Sequence, residues 1–243
     1  DFRFAFGRDT RFYGDIRLNG LPDASETFIN TSIETFTFTL EDVRRFAIPG
    51  SYPSIPVPAE LEVFGKMEIN GQFTGFYNDF VSTATFESNL GTIYTDVSLT
   101  QNEDHSNVIY KGEVRARRFH IGKFLGMDKY FGNMDMDAMV SGSGLTGNTV
   151  NINMNGSIDS LDFMGNTFNQ LGLSGEIADK KFNGHLDVTD EKLKLVFDGI
   201  LDFDQTIPLF DFTADIADAD LYNLNILDRD SISMLSAKLN CNF

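Results

Sequence analysis

Hydrophobic and polar residues alternate with a period of two along nearly the whole chain. In TVNINMNG (149–156), Val150, Ile152 and Met154 share one parity, and Asn151, Asn153 and Asn155 share the other. Successive side chains of a strand point to opposite faces, so this stretch predicts a strand with one dry side and one wet side. The pattern recurs. Phe36, Phe38 and Leu40 interleave with Thr35, Thr37 and Thr39, and Met134, Met136, Ala138 and Val140 interleave with Asp135, Asp137 and Met139. Leu171, Leu173, Gly175 and Ile177 form another set, as do Leu193, Leu195, Phe197 and Gly199, and then Phe210, Phe212, Ala214 and Ile216. Leu186 has the same parity beside His185 and Asp187. The chain reads as roughly a dozen strands, spaced as an antiparallel meander requires.

The connections are predicted to be short. ADKKFNG (178–184) and TDEK (189–192) carry hairpin-turn chemistry, and QNEDHSN (101–107) reads as a longer polar loop. IPGSYPSIPVP (48–58) holds four of the six prolines. Proline lacks the ladder donor, so this segment is expected to cross between two sheet blocks, 1–59 and 60–243. Helix is scarce. LEDVRRF (40–46) is expected to form about two turns with Thr39 as N-cap, and HIGKFLGMDKYFG (120–132) about one turn, broken by Gly122 and Gly126.

A repeat spans an offset of 100 residues. YKGEVRARRFHIGKFL (110–125) matches FDFTADIADADLYNLN (210–225) in pattern, and in both the apolar parity flips just after Ala116 or Ile216. A one-residue slip reverses the faces of a strand unless a bulge or bend absorbs it, so a bulge or bend is predicted at each place, near a strand end. A new alternating strand is expected after each flip.

Composition narrows what such a sheet does. The 243 residues carry a formal net charge of −17, which argues against nucleic acid and anionic membrane surfaces as partners. The acids are scattered through strands, as on a solvated outer face. The single cysteine, Cys241, excludes an internal disulfide. No apolar run is long enough for a transmembrane helix. Alternation begins at Phe2 and runs to the last residues, so the chain is expected to be part of a longer protein, with any membrane anchor or targeting signal outside it. There are 24 Phe and no Trp, and the Phe residues mostly occupy alternate strand positions, covering a wide apolar face.

No nucleophile elbow, phosphate loop, zinc-protease helix or dinucleotide fingerprint occurs. His105, His120 and His185 are dispersed. The acids of MDMDAM (134–139) and ADADL (217–221) lack the glycine and carbonyl ligands of a calcium loop, and read as solvated strand face. No enzyme, cofactor or metal is predicted.

Three coverings for the dry face remain open: a second sheet, as in a β-sandwich; lipid, as around a membrane barrel; or a greasy ligand in an open, curved sheet. A resemblance bears on the choice. GQFTGFYNDFVSTATFESNLGTIYTDVSL (71–99), RRFHIGKFLG followed by VSGSGL (117–145), GSIDSLDFMGNTFNQLGLSGEIADKKFNGHLDV (156–188), KLKLVFDGILDF (192–203) and LFDFTADIADADLYNLNI (209–226) resemble the TamB family, a branch of the AsmA-like proteins of Gram-negative envelopes. The resemblance implies an elongated, curved antiparallel β-meander, a taco or half-pipe with an apolar interior. It implies a periplasmic segment of a protein anchored in the inner membrane, engaged in moving phospholipid between the two membranes. The family's other attributed role is outer-membrane protein assembly or secretion with an outer-membrane barrel partner. The implied partners are phospholipid acyl chains, and in the second reading a barrel subunit or a protein client. Self-association through open sheet edges is also expected. The residues expected to line the groove are Phe36, Phe38, Leu40, Met134, Met136, Val140, Val150, Ile152, Met154, Leu171, Leu173, Ile177, Leu186, Leu193, Leu195, Phe197, Phe210, Phe212 and Ile216.

Overall fold

A computed structural model describes residues 1–23, 26–45, 59–101, 108–144, 150–178, 181–202, 209–224 and 233–242. The Pro-rich segment 48–58 and most of the 101–107 loop lie outside these residues.

The described chain builds one open sheet of 14 strands in which every strand pairs antiparallel with its sequence neighbours. The strands are β1 (Phe2–Phe6), β2 (Thr10–Asn19), β3 (Phe28–Thr39), β4 (Lys66–Phe76), β5 (Asp79–Ser88), β6 (Gly91–Gln101), β7 (Val108–His120), β8 (Phe131–Ser143), β9 (Asn151–Phe163), β10 (Asn166–Ala178), β11 (Lys181–Thr189), β12 (Leu193–Asp202), β13 (Leu209–Asp220) and β14 (Met234–Asn242). The antiparallel meander expected from the alternation, elongated and curved as the resemblance implied, is the fold. The sheet runs unbroken across residue 59, because β3 pairs with β4 from Ile29↔Gly75 to Thr39↔Lys66.

Register turns the alternation into continuous lanes, since a residue's directly paired partner points to the same face. One lane passes through Ile216, Leu195, Val188, Leu171, Ile158, Met136, Ala116, Ile93, Phe86, Ile69, Phe36, Phe12 and Phe4. Strands in a ladder stand about 4.8 Å apart, so a lane across all 14 strands is roughly 60 Å long.

Glycines on this inner face let the ladders approach closely. Gly175, Gly184 and Gly199 are paired in one lane on β10, β11 and β12. A Cβ on Gly184 would collide with the Ser174 carbonyl and stand 2.5 Å from the ring of Phe182, which lies over the gap. The ring fills what the missing side chains leave.

Of the bulge or bend expected at each flip, the structure has a bulge in both places. Pairing of β7 with β8 shifts between Ala116 and Phe119, and pairing of β13 with β14 shifts between Ile216 and Ala219. In β7 the extra residue puts Arg118 at a φ of 47°. The helical turn expected within 120–132 is present as α2 (Ile121–Leu125), and a turn at 221–224 follows the second bulge; the new alternating strands expected directly after the flips are absent from these two described segments. Gly122 does not break that helix. It lies buried inside it, because a Cβ there would collide with the Phe131 carbonyl. Gly126 is the left-handed C-cap, and the His120 ring accepts from the Lys123 amide at the other end. The other helix, α1 (Leu40–Arg45), starts as predicted, with the Thr39 hydroxyl accepting from the Asp42 amide. At 178–184 the connection is tighter than the motif implied: Asn183 and Gly184 already belong to β11.

Candidate functional site

The inner face forms a trough whose two long sides differ. Along one rim, here the floor, short elements fold beneath the strand ends. The 3-10 helix Ala59–Phe64 brings Phe64 to within 5.8 Å of Phe124 on α2 and 6.3 Å of Phe119, ring centre to ring centre. Leu90, Ala116 and Phe119 are buried there, with Ile121 and Met136 against them. The 221–224 turn reaches back to β10, where the Asn166 side chain donates to the Leu224 carbonyl at 3.0 Å. Leu224 packs on a second buried group made of Met134, Ile158, Phe168, Leu171 and Val188. At the N-terminal end, α1 is pinned by Asp42. Its carboxylate accepts the amides of Asp9 and Thr10 and the Thr10 hydroxyl at 2.9–3.0 Å, and these bonds hold Asp42 below the usual carboxylate range.

A second floor clamp joins β10 to the turn after β11. Asp190 accepts from the Asn169 and Lys192 amides at 2.9 and 2.8 Å. Burial pushes its carboxyl up, but these bonds outweigh burial and its pKa is lowered.

Towards the opposite rim, the mouth, burial falls away. The next lanes hold Phe197, Leu186 and Leu173, then Phe212, Met154 and Val140, then Leu201, Phe182, Ile177, Ile152 and Leu99, all only part-buried. Aromatic pairs run along the face, with Phe197 5.1 Å from Phe212 and Phe73 4.4 Å from Phe80. Tyr110 stands in the uppermost lane between Leu99 and Gly142, and partial burial pushes its phenol pKa up.

Charges occupy the other face in cross-strand pairs. Lys238 meets Asp215 at 2.7 Å, Lys181 meets Asp202 at 3.2 Å, and His185 meets Asp198 at 2.7 Å. The Asp215 carboxylate pushes the Lys238 pKa up. Among the described residues, no group of three or more His, Cys, Asp or Glu stands ready to hold a metal ion.

The residues expected to line the groove therefore divide. Phe36, Phe38, Met136, Val140, Ile152, Met154, Leu173, Ile177, Leu186, Leu193, Leu195, Phe197, Phe212 and Ile216 lie part-buried on strands. Met134 and Leu171 are buried in the floor. Leu40 is the first residue of α1 and is buried, so it belongs to the floor and not to a strand face. Val150 is part-buried immediately before β9, and Phe210 lies on β13. Phe73, Phe80, Phe182 and Leu201 share the face and were missed, although their alternation with polar neighbours was readable.

No family model matches the chain, and no curated protein or solved structure matches it.

Proposed function

We propose that this chain is a conduit for acyl chains: a segment of a TamB-type, envelope-spanning lipid-transfer protein whose trough shields phospholipid tails from water. One observation carries the reading. Lanes of aliphatic and aromatic side chains run across the sheet, and above the floor groups the large ones, such as Phe197, Leu186, Leu173, Phe212, Met154 and Ile152, stay part-exposed. Apolar surface of that extent marks an interaction site. A sandwich would cover the face with a second sheet, whereas all the described strands belong to one sheet.

The chemistry is undemanding. Each CH₂ kept from water is worth about 0.8 kcal/mol, so exposing a 16-carbon chain costs roughly 13 kcal/mol. A continuous apolar path removes most of that cost and needs no specific polar pocket. The family resemblance supports a periplasmic setting between two membranes.

The test is native mass spectrometry of the protein after incubation with phosphatidylethanolamine vesicles. Retained phospholipid is the expected result, and a lipid-free protein overturns the proposal. A second reading, a factor that receives strands of an outer-membrane protein, draws on β14, a nine-residue strand that among the described residues pairs only with β13.

A further inference from the structure

Resting on the conduit reading, we infer that the trough holds its lipids upright: each tail points from the mouth to the floor, across the trough axis, and the floor limits tail length. Three observations combine. First, the floor is shut over β7–β11. Leu171, Val188 and Ile158 are 3–5 % exposed, and α2, the 3-10 helix and Leu224 pack against the two buried groups. Second, the mouth is open. In the two upper lanes from β3 to β13 every side chain described on the inner face is at least part-exposed. An amphiphile therefore has one side on which its headgroup stays in water.

Third, the depth fits. From the lane above the floor to the mouth, β9 runs from Gly156 to Asn151 and β10 from Leu173 to Ala178. Five residues of strand rise roughly 17 Å. One leaflet of a bilayer is about 15 Å of hydrocarbon, half of the ~30 Å core. The wall is thus as tall as a membrane monolayer is deep. Tails lying lengthwise along the roughly 60 Å lanes would meet no such limit. Upright tails meet the Leu171–Val188 floor.

Photoreactive phosphatidylethanolamines separate the two arrangements. One carries a diazirine at the tail terminus and the other beside the acyl carbonyl, and labelled residues are mapped by peptide mass spectrometry. Upright packing requires terminal labels on Leu171, Leu173 and Leu186, and carbonyl-proximal labels on Ile177, Phe182 and Leu201. The same residues labelled by both probes, or the reverse order, overturns upright packing while leaving the conduit intact. No labelling by either probe overturns the conduit itself. A chain-length series gives a second readout. Binding should tighten about fourfold per added CH₂ in each tail until the tail spans the wall, and then level off. Continued gain well past leaflet length contradicts a floor.

Discussion

Asp42 accepts two hydrogen bonds from Thr10, one from its backbone amide and one from its hydroxyl, across 32 positions of sequence. This contact ties α1 to the turn between β1 and β2 and closes the N-terminal part of the floor. Because the folded-state pKa is depressed, its contribution is present above the unfolded value of about 3.9 and is lost as pH falls through the lower, folded value. Asp42→Asn should lower the melting temperature at pH 7. The gap to the parent protein should narrow as pH falls below about 4. A gap that is constant from pH 7 to pH 2, monitored by circular dichroism, would contradict the role of the charge.

Gly184 has no room for a side chain. Its cost on substitution is steric, from the Ser174 carbonyl and the Phe182 ring. Gly184→Val should destabilise by about 1–3 kcal/mol, read as a lower urea midpoint. Gly165, where an added Cβ would meet nothing within 4 Å but φ is 79°, is the comparison. Gly165→Asn should cost less, since Asn tolerates the left-handed region.

Arg118 sits in the left-handed region at the β7 bulge. Arg118→Gly removes a backbone penalty and should leave the urea midpoint equal or higher. Arg118→Val adds a branched Cβ there and should lose about 1 kcal/mol or more. Equal loss in both variants would mean that the guanidinium, not the backbone, matters.

Face identity separates the conduit from the assembly reading. Ile152→Asp and Phe197→Asp put charge on the inner lanes, while Val196→Asp puts it on the outer face beside Phe197. The first two should abolish phospholipid retention and the third should not, with unchanged far-ultraviolet dichroism in all three. Lipid retention that survives both inner substitutions while client assembly fails would favour the strand-receiving reading.

Net charge should select the headgroup. At −17, the protein repels anionic lipid. Phosphatidylethanolamine should be retained in preference to phosphatidylglycerol at low ionic strength. The preference should shrink as added salt shortens the Debye length towards ~3 Å at 1 M. A salt-independent preference for either lipid would point to a specific headgroup contact.

Much of this architecture is legible before any coordinates. Period-two alternation identifies the strands, and the parity flips after Ala116 and Ile216 coincide with bulges, because the demand for one dry face is local and strict. Thr39 announces α1 for the same reason: capping is decided by neighbours three residues apart. Beyond the bulges only the helical turn within 120–132 was legible, and the repeat misled. Phe119, Ile121 and Phe124 repeat the spacing of Ala219, Leu221 and Leu224, yet one segment coils and the other only turns. Gly122 looked like a helix breaker because its partner, the Phe131 carbonyl, approaches through tertiary packing. The division of the lining into floor and mouth was also hidden. Leu171 and Leu173 read alike along the chain, yet Leu171 is buried among Met134, Ile158, Phe168 and Val188 while Leu173 is only part-buried beside them, because the floor is assembled by groups distant in sequence, Leu224 included.

The pairing of each strand with its chain neighbours alone has a consequence for how the molecule comes apart. A β-sandwich stakes its stability on distant strands meeting, and so unfolds as one unit. Here the ladder is a linear array, each strand supported by the one before and the one after, and stability accumulates strand by strand. Amide exchange in this chain should slow from the outermost described strands, β1 and β14, towards β7–β11, which carry all of both buried groups except Leu90. The array also needs no long loop closure to start folding, so it can zip from any hairpin already formed.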